Sequence, residues 1–241
     1  MRQRANIAAT MSIDTSDLSP PEPAAPAAAW HRGLLDLYIR PRRFFARSAN
    51  YQHHLLVLAA ALIAGLASAI DRIDSKLVMA QAGVGGSATQ FVLAIGETWT
   101  RYWTFVGAVG VIGAGILWLV GGWWYRLRLR WSGAVRPDPT TSRQVYVLQN
   151  LVFALPALLV TIANTLRFDN GSLAAAADID VGTVLVLALL LWSCWVSFCA
   201  ATTVFELKPG AARLWFLALP FVLYLFVGGI VAAAVAWFGH A

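Results

Sequence analysis

The sequence predicts an all-α integral membrane protein: a polytopic bundle of five transmembrane helices, with a cytoplasmic N-terminus and an external C-terminus. Apolar residues make up 59% of the 241 residues and charged residues only 12%, against about a quarter charged in a typical soluble domain. Five long apolar stretches carry much of this composition, and the basic residues are divided unequally between the loops. This composition excludes a disordered chain and argues against an ordinary soluble enzyme.

Each apolar stretch has roughly the length that a membrane span needs. Four of them contain 22 to 25 residues without a charge, which meets the requirement of about 20 residues. The first has 16 uncharged residues between His54 and Asp71, so it spans only together with its flanks. No alternating pattern runs through these stretches, which favours helices over strands. The predicted spans are residues 53–70, 103–125, 145–166, 181–205 and 214–238, within a membrane domain of residues 51–241.

The distribution of Lys and Arg predicts the orientation. Fourteen of them lie before the first span or in the loops after the second and fourth spans, and four lie in the other two loops. Because short cytoplasmic loops are enriched in Lys and Arg, the N-terminus is predicted to be cytoplasmic. In a bacterium, such a multi-pass protein lies in the inner membrane.

Two segments precede the first span. Residues 1–29 are rich in Pro and Ala, which is typical of a flexible tail. Residues 30–50 mix apolar side chains with Arg40, Arg42 and Arg43, which suggests an amphipathic segment in the membrane interface. We expect its arginines to contact anionic lipid headgroups. The alternative is that these charges serve the topology alone.

The most distinctive stretch follows the second span, where arginines alternate with apolar residues between tryptophans. We expect these side chains to form a basic, aromatic ledge on the cytoplasmic face; they are Arg126, Arg128, Arg130, Trp124 and Trp131. Anionic lipid headgroups or an acidic partner protein are the expected ligands. A nucleic-acid partner is not expected, because the basic residues lie next to a membrane and no binding domain surrounds them.

Small and polar residues within the spans indicate helix packing. Gly107, Gly110 and Ala114 in span two would let another helix approach closely, and Asn164, Ser193 and Ser197 can form hydrogen bonds between helices. A polar path between spans three and four, lined by Asn164 and the hydroxyls of span four, is the alternative interpretation. We favour packing, because none of these residues is ionisable.

The sequence contains no arrangement typical of catalysis or metal binding. His53 and His54 are adjacent and therefore point in different directions on a helix. Cys194 and Cys199 are about 7.5 Å apart along a helix axis, beyond the usual reach of a disulfide. We therefore expect no enzymatic activity, no metal and no cofactor.

Several short motifs together resemble the bacterial branch of the Yip1 family, over roughly residues 30–238. They are Arg40-Pro41-Arg42-Arg43-Phe44-Phe45, the double glycine Gly121-Gly122 at the predicted close of span two, Trp131-Ser132-Gly133, and Tyr146 before Pro156 in span three. The resemblance implies five spans, a cytosolic N-terminal segment and no established catalytic activity. Eukaryotic members of the family associate with small GTPases and vesicle-trafficking machinery.

These observations lead to two functional hypotheses. The first is a non-catalytic membrane protein that organises lipids or partner proteins through the basic, aromatic cytoplasmic face. The rival is a small-solute channel or transporter, or a subunit of one, with its path between spans three and four. A homo-oligomer is compatible with either hypothesis.

Overall fold

The structure is a computed structural model that describes residues 30–83, 89–177, 181–226 and 229. All regular secondary structure within these residues is helical. The predicted flexible tail, residues 1–29, and most of the final part of predicted span five lie outside the described residues.

Five of the helices are long and apolar enough to cross a membrane. This confirms the prediction of an all-helical, multi-pass membrane protein. The five candidate spans are His54–Gln81, Trp99–Trp131, Pro139–Arg167, Val184–Val204 and Pro209–Phe226. The shorter helices are α1 (Trp30–Ile39), α2 (Pro41–Ala46), α3 (Ser48–Gln52), α5 (Thr89–Gly96) and α9 (Gly171–Ala175).

The first span, α4 (His54–Gln81), is longer than the sequence predicted, because the helix continues past the charged residue Asp71. Asp71 and Arg72 are exposed, whereas Ile73 and Leu77 are buried against the rest of the bundle. The charges therefore lie on the outer face of a helix whose inner face stays apolar, so they do not end it.

The second span also extends beyond its predicted end. It consists of α6 (Trp99–Ile116), a π turn (Leu117–Gly121) and α7 (Gly122–Trp131), without a break. The sequence suggested that Gly121 and Gly122 end this helix, but the helix continues through them to Trp131. A Cβ atom at Gly121 would overlap the ring of Tyr146, and one at Gly122 would overlap the side chain of Arg143. The two glycines thus allow span three to approach span two.

The third span is α8 (Pro139–Arg167), and it begins six residues before the predicted start at residue 145. Asp138 is the N-cap, and its carboxylate accepts hydrogen bonds from the backbone N–H of Thr141 at 2.7 Å and its hydroxyl at 2.8 Å. Pro139 occupies the first turn, where its missing N–H costs nothing.

The remaining long helices complete the bundle. The fourth span is α10 (Val181–Val204), and the fifth begins with α11 (Pro209–Arg213), followed by a π turn (Leu214–Ala218). Helix α4 packs against both α6 and α8, and α10 also packs against α8. The fifth span contacts α10 and α7 through its π turn.

The segment at residues 30–50 docks on the bundle. Leu37, Phe44 and Phe45 are buried in the core. The hydroxyl of Tyr38 donates a hydrogen bond of 2.9 Å to the carbonyl of Leu151 in α8, and burial raises the pKa of this phenol to about 12. Trp192 of α10 donates through Nε1 to the Tyr38 carbonyl at 3.1 Å. The amphipathic segment is therefore held by spans three and four.

Candidate lipid-binding site

The charged residues are distributed unequally between the two ends of the bundle. One end, formed by residues 30–54, 122–145 and 204–216 and named the basic end below, carries twelve described Lys and Arg residues against three acids, Asp36, Asp138 and Glu206. The opposite end has four described basic residues and four acids. The twelve basic residues are Arg32, Arg40, Arg42, Arg43, Arg47, Arg126, Arg128, Arg130, Arg136, Arg143, Lys208 and Arg213.

The three arginines predicted on the amphipathic segment have different surroundings. Arg40 is exposed between α1 and α2. Arg42 is also exposed, with its guanidinium carbon 6.0 Å from the ring centroid of Trp195. Arg43 lies 3.8 Å from the carboxylate of Asp36, so it is partly neutralised.

Three tryptophans form a row at the basic end. The rings of Trp124 and Trp131 meet edge to face with centroids 5.5 Å apart, and Trp131 lies 4.5 Å from Trp215. Trp124 is 40% exposed and Trp131 is 44% exposed. Rings with one polar edge, held at a bundle end in this way, suit a membrane interface.

The predicted ledge of three arginines is divided between two faces of α7. Residues 126 and 130 are four apart and share a face, whereas residue 128 is about 200° away from each. Arg126 is half-buried and donates through Nε to the Pro137 carbonyl at 2.9 Å, and Arg130 is exposed. Arg128 differs from the expectation of a surface residue, because it points into the bundle and is only 8% exposed.

Arg128 lies among aromatic rings. Its guanidinium carbon is 4.8 Å from the ring centroid of Phe216 and 5.4 Å from that of Tyr125. Nη1 donates to the carbonyl of Trp215 at 3.4 Å, while Nε has no hydrogen-bond partner among the described residues. No carboxylate of the described residues lies within ion-pair distance of it.

The π turn in the fifth span builds part of this environment. It contains Trp215, whose carbonyl accepts from Arg128, and Phe216, which is fully buried beneath the guanidinium. The second span has its own π turn just before α7. Single π turns inside α-helices occur frequently at functional sites.

A cavity of about 260 Å³ extends from Arg128 between spans two, three, four and five. The Gln149 Oε1 and Ser197 Oγ atoms are buried without a hydrogen-bond partner among the described residues. Ser193 donates to the carbonyl of Leu190 in its own helix at 2.6 Å. The lining consists of Trp124, Arg128, Tyr146, Gln149, Asn150, Ser193, Cys194, Ser197, Phe216, Leu219, Pro220, Leu223 and Tyr224.

The residues predicted for helix packing also differ in their surroundings. A Cβ atom at Gly110 would lie 2.7 Å from Leu66 Cδ2, and Ala114 faces Gly65 across the same contact. Gly107 has open space around it. Asn164 is half-buried outside the cavity lining, so the cavity does not follow the predicted path past this residue.

Hydrogen bonds between the spans come from other side chains than Asn164, Ser193 and Ser197. Trp103 of span two donates through Nε1 to the hydroxyl of Thr165 in span three at 3.1 Å. The Thr161 hydroxyl donates to a carbonyl of its own helix, as Ser193 does.

The described residues contain no group of three His, Cys, Asp or Glu side chains that could hold a metal ion. Cys194 and Cys199 are buried, free thiols.

The chain matches no protein-family model, and neither a curated protein nor a solved structure shows significant similarity to it. The basic end and the cavity beside Arg128 are therefore the two features from which a function can be inferred.

Proposed function

We propose that this chain is a non-catalytic integral membrane protein, of the Yip1 type, that binds and organises anionic lipids at its basic end. We place it in a bacterial inner membrane with this end in the cytoplasm. The observation that carries the proposal is the exposure of Arg40, Arg42 and Arg130 at the end of the bundle where basic residues outnumber acids and where the tryptophan row lies.

The physical basis is the negative potential of an anionic leaflet. A basic side chain near such a surface contributes about 1 kcal/mol of attraction, and several together produce a marked preference for anionic lipid. Trp124 and Trp131 would lie at the level of the headgroups, where their rings contact the apolar boundary. An acidic partner protein would be attracted by the same charges.

The rival function, a small-solute channel or transporter, has one observation in its favour. The cavity beside Arg128 reaches Ser193 and Ser197 of span four. Asn164, on which the predicted path depended, is not among the lining residues. The cavity therefore includes the span-four hydroxyls of the predicted path but not Asn164 of span three.

The proposal is tested by measuring the lipids that co-purify with the full chain in mild detergent. A variant with Arg40→Gln, Arg42→Gln and Arg130→Gln should lose most of the enrichment of anionic over zwitterionic lipid. The matched control removes three charges from the opposite end, with Arg72→Gln, Lys76→Gln and Arg101→Gln, and should keep the enrichment. Equal enrichment in both variants would contradict the proposal.

A further inference from the structure

We propose that the cavity beside Arg128 is a binding site for one anionic phospholipid, with the lipid phosphate against the guanidinium and the acyl chains outside the bundle. This inference rests on the proposed function, because it names the lipid class and places a specific site next to the exposed arginines.

Arg128 carries a buried positive charge that no described carboxylate balances. Arg128 is 8% exposed, and no described carboxylate lies within ion-pair distance of it. Burying an unpaired cation is costly, and contact with aromatic rings recovers only part of that cost. An anion in the cavity would neutralise the guanidinium, and the guanidinium fork matches the geometry of a phosphate.

Three buried polar atoms near the cavity have no hydrogen-bond partner in the part of the chain that the structure describes. Arg128 Nε and the Ser197 hydroxyl are donors that a phosphate oxygen would satisfy. Gln149 Oε1 is an acceptor, which a phosphate cannot satisfy. A headgroup hydroxyl, such as that of a glycerol headgroup, would donate to it. The three atoms together suit a phosphate that carries a hydroxylated substituent.

The cavity has the size of a lipid headgroup, and part of its wall is formed by exposed apolar side chains. Its volume of about 260 Å³ is below the range of about 300–1,000 Å³ that holds drug-sized ligands. A headgroup therefore fits in the cavity, and acyl chains do not. Three lining residues, Trp124, Leu219 and Leu223, are 40%, 41% and 52% exposed. The cavity therefore opens through apolar side chains on the outer surface of the bundle, where acyl chains can lie.

The polarity of the cavity lining changes along the helix axes. Arg128 is three residues from the end of α7, about 5 Å along the axis, whereas Leu223 is about 21 Å from the start of the fifth span at Pro209. The cationic part of the cavity thus lies near the membrane surface and its apolar wall lies deeper. A phospholipid of the same leaflet has this order of polarity.

The test uses the full chain in mild detergent, with phosphatidylglycerol titrated against phosphatidylcholine and bound lipid counted by native mass spectrometry. Arg128→Gln should lower the occupancy of phosphatidylglycerol about tenfold. Arg72→Gln, the same change at an exposed residue of the opposite end of the bundle, should leave the occupancy within about twofold of the wild type. Equal occupancy in wild type and Arg128→Gln would overturn the proposal.

A second variant covers the case in which Arg128→Gln does not fold. Ser197→Met keeps the cation and fills the cavity, so it should also lower phosphatidylglycerol occupancy. Thr202→Met, on the same helix but outside the lining, should not. If Ser197→Met folds and binds like the wild type, the proposal is overturned.

Two further outcomes separate the sources of the anion and the two proposals. Glycerol 3-phosphate in large excess should not displace the lipid, and displacement would assign the site to a soluble anion and favour the transport function. A wild type without any preference for phosphatidylglycerol would contradict the proposed function as well. A preference that Arg128→Gln retains would overturn the Arg128 site alone.

Discussion

The phenolic oxygen of Tyr102 in the second span donates a hydrogen bond of 2.8 Å to the carboxylate of Asp74 in the first span. Tyr102 is 1% exposed, and its ring meets those of Trp99 and Trp103 edge to face, with centroids 5.3 and 5.7 Å away. Trp99 and Trp103 each donate a hydrogen bond to the end of span three. One turn of span two therefore connects three spans at the end of the bundle opposite the basic end.

Removing the Tyr102 hydroxyl should destabilise this junction. Tyr102→Phe leaves the half-buried Asp74 carboxylate without its donor, so we expect a loss of about 1–3 kcal/mol, read as a lower melting temperature in detergent. Combining Tyr102→Phe with Asp74→Ala should cost less than the sum of the two single changes, because each removes the same contact. Strict additivity would contradict a coupled pair.

A methyl group at Gly65 should separate the first two spans. Its Cβ would overlap the backbone carbonyl of Gly110 and lie 2.6 Å from the backbone nitrogen of Ala114, and backbone atoms cannot turn aside. We expect Gly65→Ala to lower the unfolding free energy by about 1–3 kcal/mol. Gly107→Ala is the matched control, because nothing lies within 4 Å of its added methyl group, and it should be neutral or slightly stabilising. Equal melting temperatures in the two variants would show that spans one and two do not touch at Gly65.

The cap at Asp138 should make the start of span three sensitive to acid. Hydrogen bonds from the backbone and side chain of Thr141 hold the pKa of Asp138 below its usual value. The carboxylate therefore stabilises the fold above about pH 4, and this contribution is lost as the pH falls through the lowered pKa. Asp138→Ala should cost about 1 kcal/mol at pH 7, measured by thermal unfolding.

Asp138→Asn is the control for the charge. Asn caps a helix nearly as well as Asp and does not titrate, so this variant should stay close to the wild type at pH 7. It should also lose less stability than the wild type on acidification. A parallel loss in both proteins would mean that another acid causes it.

The number and helical nature of the spans could be predicted from the sequence, because apolar length alone determines both. The ends of the spans could not. A count of uncharged residues stops at Asp71, although the helix continues with Asp71 and Arg72 turned outward. Gly121 and Gly122 suggested a helix end, yet they are the places where Tyr146 and Arg143 of span three pack.

Because the predicted end of span two was too early, the cavity beside Arg128 could not be predicted either. Arg126, Arg128 and Arg130 were counted as one loop, in which alternate residues have no fixed direction. On a helix that continues to Trp131, a 100° rotation per residue places Arg128 opposite the other two. That signal was present in the sequence. The π turn that brings the Trp215 carbonyl and Phe216 to the guanidinium had no comparable signal, since it arises from packing between spans.

Both proposals depend on which side of the membrane the basic end faces, and cysteine accessibility in intact cells measures this directly. In a background of Cys194→Ala and Cys199→Ala, a single Arg136→Cys marks the basic end and a single Asp169→Cys marks the opposite end. We predict that an impermeant thiol reagent labels position 169 from outside and labels position 136 only after the membrane is opened. Labelling of position 136 in intact cells would contradict the account, because the arginines would then face away from the cytoplasmic leaflet.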